Sequence, residues 1–495
     1  MIDQNITLIL PLIAAIGAAI AVLIVDLFLP NRSSLTVTVA LIGLAVVAIL
    51  TVSANQNPGV AYNGVYKVDA LTTFLDLLFV AIIALTLVFA PDYLAPRGLP
   101  MAEFAVVLMF AMTGAMLISA STDLLLLFLG LELMVLPGYM LAAFHKTDAY
   151  STEGAIKYFL LGSFSSAIFL FGLAFVWGLT GSTRVADIAN ALTTVATTPG
   201  AFSPGLAMGF AFLTTGVAFK IAAVPFHYWT PDAYQGSPTP VTGYLSVGPK
   251  LGAFALILRL FADGLLPLAD WWLPVVFVLS TLTMTLGNLV ALTQDNVKRM
   301  LAYSSIAHTG YMLVGLAAYG AGEISGAAGL LFYGAAYTFM NLGAFAVVAA
   351  LQKRAGVTSQ LETFAGLGRR EPVLGALMLV FLLSLTGIPP LAGFWAKVFV
   401  IEPALEAGGA LTALAVLIVL NAAAAAFYYL RVAVYMYMRE PRTEAERLSH
   451  GRLLWAGLAA AFLLTVAVGL FPTTLIDAAA TAAQALPQGF TQASN

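Results

Sequence analysis

Runs of about twenty apolar residues recur along nearly the whole chain, and each is long enough for one α-helix to cross a bilayer. Hydrocarbon offers no water to backbone N–H and C=O groups, so a chain that crosses it repeatedly must pair those groups inside each segment, as a helix does. We read about fourteen such runs. They lie near 6–29, 35–52, 70–90, 101–119, 124–144, 154–180, 205–230, 238–261, 271–293, 300–319, 326–351, 373–402, 409–437 and 453–471. Composition agrees, with 61% hydrophobic and 9% charged residues where a soluble protein carries about a quarter charged. The expected fold class is therefore all-α polytopic membrane protein. Met1 to Asn5 is short and acidic with no basic residue, which predicts that the first run stays as a span and is not cleaved as a signal.

Charges between the runs alternate. One set of loops carries Arg32, Arg97, Lys146, Lys298, Arg299, Lys353, Arg354, Arg369, Arg370, Arg439, Arg442, Arg447 and Arg452. The other carries mainly Lys67, Arg184 and Arg259 among Asp69, Asp123, Asp187, Asp263, Asp270, Glu323 and Glu406. The positive-inside rule puts the first set in the cytoplasm and predicts that both termini face out.

Two runs are interrupted at matching places. The seventh holds Lys220-Ile-Ala-Ala-Val-Pro225, and the twelfth holds Gly387-Ile-Pro389-Pro390 followed by Gly393 and Lys397. Proline breaks or kinks a helix and leaves backbone groups that need other partners. A Thr-Gly pair, Thr215-Gly216 or Thr386-Gly387, precedes each break. Five spans separate the two, and an odd number inverts the second copy, so two inverted five-helix repeats are expected. The expected division is 1–100 with three spans, 101–263 with spans four to eight, 264–440 with spans nine to thirteen, and 441–495 with the last span and a tail.

Charged residues inside these runs need a reason, since each costs a few kcal/mol at the bilayer centre. Glu132 lies in LLLLFLGLELMVLPGYM and Lys220 just before the first break. If they meet, each keeps the other ionised, which suits either a structural ion pair or a proton site. Lys250 and Lys397 find no further acid deep in a span, and unpaired buried lysines suit proton relay. His227, seven residues after Lys220, could bridge two lysines through water. Glu153 and Lys157 read as an i, i+4 pair at a helix end, with Lys157 one turn deeper and able to feed the relay. His308 sits among Tyr303, Ser304 and Ser305, either as a packing residue or as part of the path. His145 and His450 fall in loops and are expected to be solvated; no two histidines form a same-helix pair suited to haem. Gly162, Ser163, Ser165 and Ser166 read as close-packing positions.

Other chemistry is excluded. With no cysteine, the chain carries no disulfide, iron–sulfur cluster or thiolate metal site. It has no phosphate-binding G-x-x-x-x-G-K-[ST], no G-x-G-x-x-G after a strand, no H-E-x-x-H and no basic aromatic face for nucleic acid. Moving one charge against the membrane potential costs about 2.3 kcal/mol per 100 mV, so a pump built from this chain draws its energy from a partner.

These residues resemble a known family, the antiporter-like proton-translocating membrane subunits of respiratory complex I, which are similar to large subunits of multi-subunit Na+/H+ antiporters. The stretches that carry the resemblance are PFHYWTPDAYQGSPTPVTGYLSVGPK at 225–250, YSSIAHTGYMLVG at 303–315, YGAAYTFMNLGAFAVV at 333–348 and GIPPLAGFWAKVFV at 387–400. Within the family the chain looks most like the N type. Lys397 stands where the M type has glutamate, and the run of only about two dozen residues past Leu470 argues against the L type, which has a long lateral helix there. The resemblance implies a proton relay in which Glu132 pairs with Lys220, Lys250 is central, and Lys397 leads to the outer exit. His227, Lys157 and His308 are weaker members. It also implies that quinone reduction in other subunits drives the relay, and that NAD, FMN, iron–sulfur clusters and quinone belong to partner subunits with none bound here. Expected partners are an M-type neighbour, small J-, K- and A-type subunits, and membrane lipids. The alternative is a subunit of a cation/proton antiporter.

Overall fold

Loop aspartates that separate the apolar runs turn out to start helices. Asp69, Asp123 and Asp148 each place a carboxylate oxygen on backbone N–H groups of the first turn that follows, as Ser203 and Asn296 also do with their side-chain oxygens. The structure, a computed structural model, describes residues 2–30, 32–198, 200–354, 356–440 and 449–487. Arg442 and Arg447 lie outside the described residues.

The helices run α1 (Ile2–Phe28), α2 (Ser33–Ala54), α3 (Ala70–Leu94), α4 (Met101–Ala120), α5 (Leu124–Ala142), α6 (Ala149–Thr180), α7 (Val185–Thr197), α8 (Pro204–Lys220), α9 (Trp229–Gly236) and α10 (Thr239–Ile257). They continue as α11 (Ala269–Ala291), α12 (Val297–Gly320), α13 (Ile324–Leu351), α14 (Leu367–Arg370), α15 (Pro372–Thr386), α16 (Ala392–Ala407), α17 (Leu411–Met438), α18 (Arg452–Leu470) and α19 (Pro472–Ala483). Strands β1 (Gly59–Ala61) and β2 (Tyr66–Val68) form an antiparallel hairpin between α2 and α3. A turn of π-helix, Leu258–Ala262, extends α10.

Among the described residues, eleven helices are long and apolar enough to cross a membrane. The chain is an all-α polytopic membrane protein. The expected seventh, tenth and twelfth spans are not among the eleven, each for a visible reason. α8 stops at Lys220, α12 carries Lys298, Arg299, Tyr303, Ser304, Ser305 and His308, and the twelfth run is divided into α15 and α16. Three helices lie outside the expected runs: α7, before α8, the single turn α14, before α15, and α19, after α18.

Interhelical loops meet at two ends. At one, the Thr122 N–H donates to Val65 O, Asp123 bridges Arg184, and the Tyr319 hydroxyl donates to Pro487 O. We call this the hairpin face. At the other, Arg97 donates to Gln352 O, Asn296 bridges Gln360, and Asp92 pairs with Lys353. The two expected sets of loop charges thus sort onto opposite ends, with exceptions. Arg259 is not a loop residue but fully buried in the π turn, bonded to Asp69 and Asp263 at 2.8 and 3.3 Å and to the Ser119 carbonyl at 2.7 Å. Lys298 is also buried, its ammonium donating to Ser237 O at 2.5 Å. The side chain of His450 is covered, beside Asp92 and Trp455, and not solvated.

α10 and α13 form the middle of the bundle; α10 is buried along its whole length and α13 from Gly326 onward. Small residues allow this density. A Cβ on Gly329 would lie 1.9 Å from Phe399 O, so α13 and α16 touch backbone to backbone there.

Replacing Arg259 with Met would leave the largely buried Asp263 without its cation and Asp69 with Lys67 alone. We expect a loss of about 3 kcal/mol, read as a lower midpoint of thermal unfolding of the purified assembly. A midpoint within a degree or so of the parent would contradict the assigned pairing.

Candidate functional site

α8 ends at Lys220 because the chain turns out of helical geometry at Ala222, where φ is +58°. The break is pinned from outside: the Val224 N–H donates to Thr283 Oγ1 at 2.9 Å, and Thr309 Oγ1 donates to Ile221 O at 2.9 Å. Trp229 Nε1 closes it by donating to Phe219 O at 3.1 Å. Lys220 therefore projects between α5 and α6, where Nζ donates to Ser166 Oγ at 2.8 Å and to Gly162 O and Tyr139 OH at 3.3 Å each. A Cβ on Gly162 would collide with the Tyr139 hydroxyl at 2.1 Å, so that glycine makes room for the tyrosine. Ser166, expected as packing only, is a direct partner of the lysine.

Glu132 is close enough for its charge to act on both Lys220 and Tyr139, yet it makes no direct ion pair with the lysine. Its Oε1 is buried with no hydrogen-bond partner. The expected Glu132–Lys220 pair is thus a coupling through space, with the lysine's own hydrogen bonds spent on Tyr139, Ser166 and Gly162.

Lys250, in the buried core of α10, donates to both the carbonyl and the hydroxyl of Ser305 at 2.5 Å. Ser305 O also accepts from Thr309 Oγ1 at 3.2 Å, and the same hydroxyl reaches Ile221 O. One helical turn of α12 therefore joins the broken end of α8 to the ammonium on α10.

His308, between those two residues, faces the other way into a group of tyrosines. Nδ1 meets Tyr333 OH at 2.6 Å and Nε2 meets Tyr429 OH at 3.2 Å, while the rings of Tyr311 and Tyr337 flank it. Tyr429 also bonds Ser304, and Tyr428 reaches Tyr311 through Asn288. Beyond Tyr311 lies Lys397, its Nζ 5.6 Å from the ring centroid. Lys397 donates to Leu385 O and Thr386 O at 2.9 and 3.0 Å, the last carbonyls of α15. Those groups have no partner inside their own helix, and the negative end of the helix dipole favours a cation.

His227 is buried beside Tyr228 and Tyr303, and its Nδ1 has no partner; no hydrogen bond joins it to Lys220 or Lys250. Lys157 is held at the surface by two carboxylates, Glu153 at 2.6 Å and Asp232 at 2.7 Å, and Asp232 also takes Arg299 at 2.7 Å. Burial raises the Asp232 carboxyl, but the hydrogen bonds and charges of Lys157 and Arg299 outweigh it and hold the group below the usual carboxylate range.

Several of these residues are hard to single out from the sequence. The tyrosines carry a faint signal, since Tyr333 and Tyr337 are one turn apart in an otherwise apolar run and Tyr428-Tyr429 are adjacent. Asp232 resembles an ordinary loop acid. The expectation of no deep acid beyond Glu132 is corrected by Asp76 of α3, which is only 2% exposed.

Residues 121–422 match the family NADH:quinone oxidoreductase/Mrp antiporter, TM, and the chain belongs to that family. Within it, the resemblance is to subunit N of NADH-quinone oxidoreductase. The chain is 40% identical over 469 residues to subunit N of Trichlorobacter lovleyi, covering 94% of each. It is 42% identical over 482 residues to subunit N 1 of Koribacter versatilis, covering 94% of this chain and 93% of that one. A chain of respiratory complex I from Thermus thermophilus with bound aureothin superposes with a TM-score of 0.78 at 33% identity, covering 95% of this chain and 99% of that one. A chain of the Mrp complex from Dietzia sp. DQ12-45-1b shares the fold, with a TM-score of 0.83 at 21% identity over 98% of each.

Removing the acceptor at Thr283 by Thr283→Val would strand the buried Val224 N–H. The expected cost is about 1–3 kcal/mol, measured as a shift in thermal unfolding. Because Asp232 is held low, its ion pairs contribute stability that is fully present above the ordinary carboxylate range and is lost as pH falls from there through the lower value of the folded protein. Thermal unfolding of Asp232→Asn should therefore lose part of the parent's acid sensitivity.

Proposed function

We propose that the chain is a proton-translocating membrane subunit of NADH-quinone oxidoreductase, without redox chemistry of its own. The observation that carries this reading is the line Lys220, Lys250, Lys397: three buried ammonium groups whose hydrogen bonds go to hydroxyls and carbonyls, never to a carboxylate. An ammonium held that way can give up its proton without leaving a bare buried anion behind.

Glu132 sets the electrostatic trigger. A change at the neighbouring subunit that alters the Glu132 charge alters the field at Lys220, whose proton then moves toward Lys250. Thr309 and Ser305 offer hydroxyls between those two, and His308 with Tyr333, Tyr429 and Tyr311 offers a polar path between Lys250 and Lys397. His227 serves as a water-side contact near the break. Lys157 is better read as part of the Glu153–Asp232–Arg299 cluster than as a relay member.

In this reading the chain has fourteen spans. Spans four to eight and nine to thirteen are inverted repeats, each broken once, at α8 and between α15 and α16. The hairpin face with both termini is periplasmic, and the opposite, more basic end faces the cytoplasm of a bacterial inner membrane. NAD, FMN, iron–sulfur clusters and quinone reside in other subunits, with an M-type subunit and the small J-, K- and A-type subunits as neighbours. The alternative, a cation/proton antiporter subunit, draws on the shared fold of the Mrp chain.

Gentle solubilisation of native membranes with a tagged chain separates the two. NADH:quinone reductase activity should copurify; arrival with small membrane subunits alone, and cation/proton exchange without NADH, would favour the antiporter. In reconstituted vesicles, Lys250→Ala and Lys397→Ala should lower NADH-driven proton pumping by about a hundredfold at normal assembly, while Lys157→Ala stays within about twofold. Undiminished pumping in both of the first two variants would refute the relay.

A further inference from the structure

Asp76 belongs to no part of the relay. It lies on α3, seven residues or about 10 Å along the helix from the N-cap Asp69 at the hairpin face. Its Oδ1 is 2.5 Å from Ser119 Oγ on α4, and Ser119 Oγ is 2.8 Å from Met116 O. A serine hydroxyl has one hydrogen, and the Met116 carbonyl can only accept. With an ionised Asp76, two acceptors would compete for that hydrogen. With a protonated Asp76, the carboxyl O–H donates to Ser119 Oγ, and Ser119 donates to Met116 O. Both contacts are then satisfied.

The surrounding charges close without Asp76. Arg259 and Lys67 are the cations, and Asp69 and Asp263 are the carboxylates that pair with them. Arg259 directs four of its five N–H donors to Ser119 O, Asp69, Thr72 and Asp263, and none of these bonds reaches Asp76. The groups that face Asp76 are Ser119 from α4, Arg259 from the π turn, Asp69 from the start of α3 and the phenol of Tyr66 from β2. Of the other helices packed on α3, α2 and α13 carry no acid, lysine, arginine or histidine, and α10, α18 and α19 carry Lys250, Arg452 and Asp477, none of which acts on Asp76. A fifth, ionised group here would be an unmatched buried charge, which costs several kcal/mol.

We infer that Asp76 is a proton-binding site of the hairpin side, a neutral carboxyl that donates to Ser119 and exchanges its proton with water at the partly exposed Lys67–Asp69 rim. On release the O–H bond breaks, the proton passes to water, and one negative charge is left beside Arg259. Arg259 stands on the π turn of the helix that carries Lys250 nine residues earlier, so the charge at Asp76 acts on the outer end of the Lys250 helix. The proton site stands on geometry alone; only its action on pumping rests on the function proposed above.

Infrared difference spectra of the purified assembly, parent minus Asp76→Asn, test this directly. The asparagine keeps a donor for Ser119 and removes only the acid. The difference should contain one carboxylic-acid carbonyl band, which shifts down in D2O. In Ser119→Ala the same band should move to higher frequency, because its hydrogen bond is gone; this variant carries the test if Asp76→Asn fails to assemble. An unchanged carboxylic region in both variants would overturn the site, and a band indifferent to D2O would overturn its exchange with water. Pumping in Asp76→Asn should lose its response to pH on the hairpin side; a response equal to the parent's would overturn the coupling to Lys250. Loss of the relay reading would leave the infrared result standing.

Discussion

The ammonium groups of Lys220, Lys250 and Lys397 are kept out of water without a carboxylate in contact, as is that of Lys298, and much of the architecture follows from that demand. Each lysine must be given acceptors, yet carboxylates would fix its charge. The acceptors are instead hydroxyls and backbone carbonyls: Ser166, Gly162 and Tyr139 for Lys220, Ser305 for Lys250, Leu385 and Thr386 for Lys397. The pair of carbonyls that takes Lys397 is free because a helix stops there, so α15 must end in the middle of the bundle. Arg259 shows the opposite solution. A guanidinium does not lose its proton, and it is enclosed by two aspartates as a fixed brace.

α12 is the ridge on which these acceptors are organised. Its residues Ser304, Ser305, His308 and Thr309 occupy consecutive turns, with Ser305 and Thr309 toward α8 and α10 and Ser304 and His308 toward α13 and α17. A helix with so many polar groups is stable inside a membrane because protein, not lipid, surrounds it. The two broken segments flank this ridge, which places the ends of discontinuous helices against hydroxyls from a continuous one.

Much of this is legible in the order of the residues. Apolar length locates most helices, since the bilayer sets it, and proline with glycine marks both breaks. Lys220, Lys250 and Lys397 stand out because a cation in an apolar run has a large cost. What stays hidden is decided by the third dimension. Arg259 and Lys298 sit at the ends of runs, where a cation looks the same whether it meets water or folds back inward. Tyr333, Tyr337 and Tyr429 are ordinary core residues until they gather around His308. Asp76 is masked by the hydrophobicity of its own run, and the gap between Glu132 and Lys220 depends on how α5 and α8 pack. α7 is hard to recognise as an element of its own because its mixed composition resembles a loop.

The enclosure of α10 and α13 also bears on how the chain is made. A segment that touches no lipid gains little by leaving the translocon for the bilayer alone, and α12, which enters just ahead of α13, is too polar to do so unaided. Such helices enter the membrane safely only alongside neighbours that cover them. The more exposed helices α11 and α17 pack on α12 and are placed to give it that cover. The proposed proton path thus runs between helices that protein, and not lipid, surrounds.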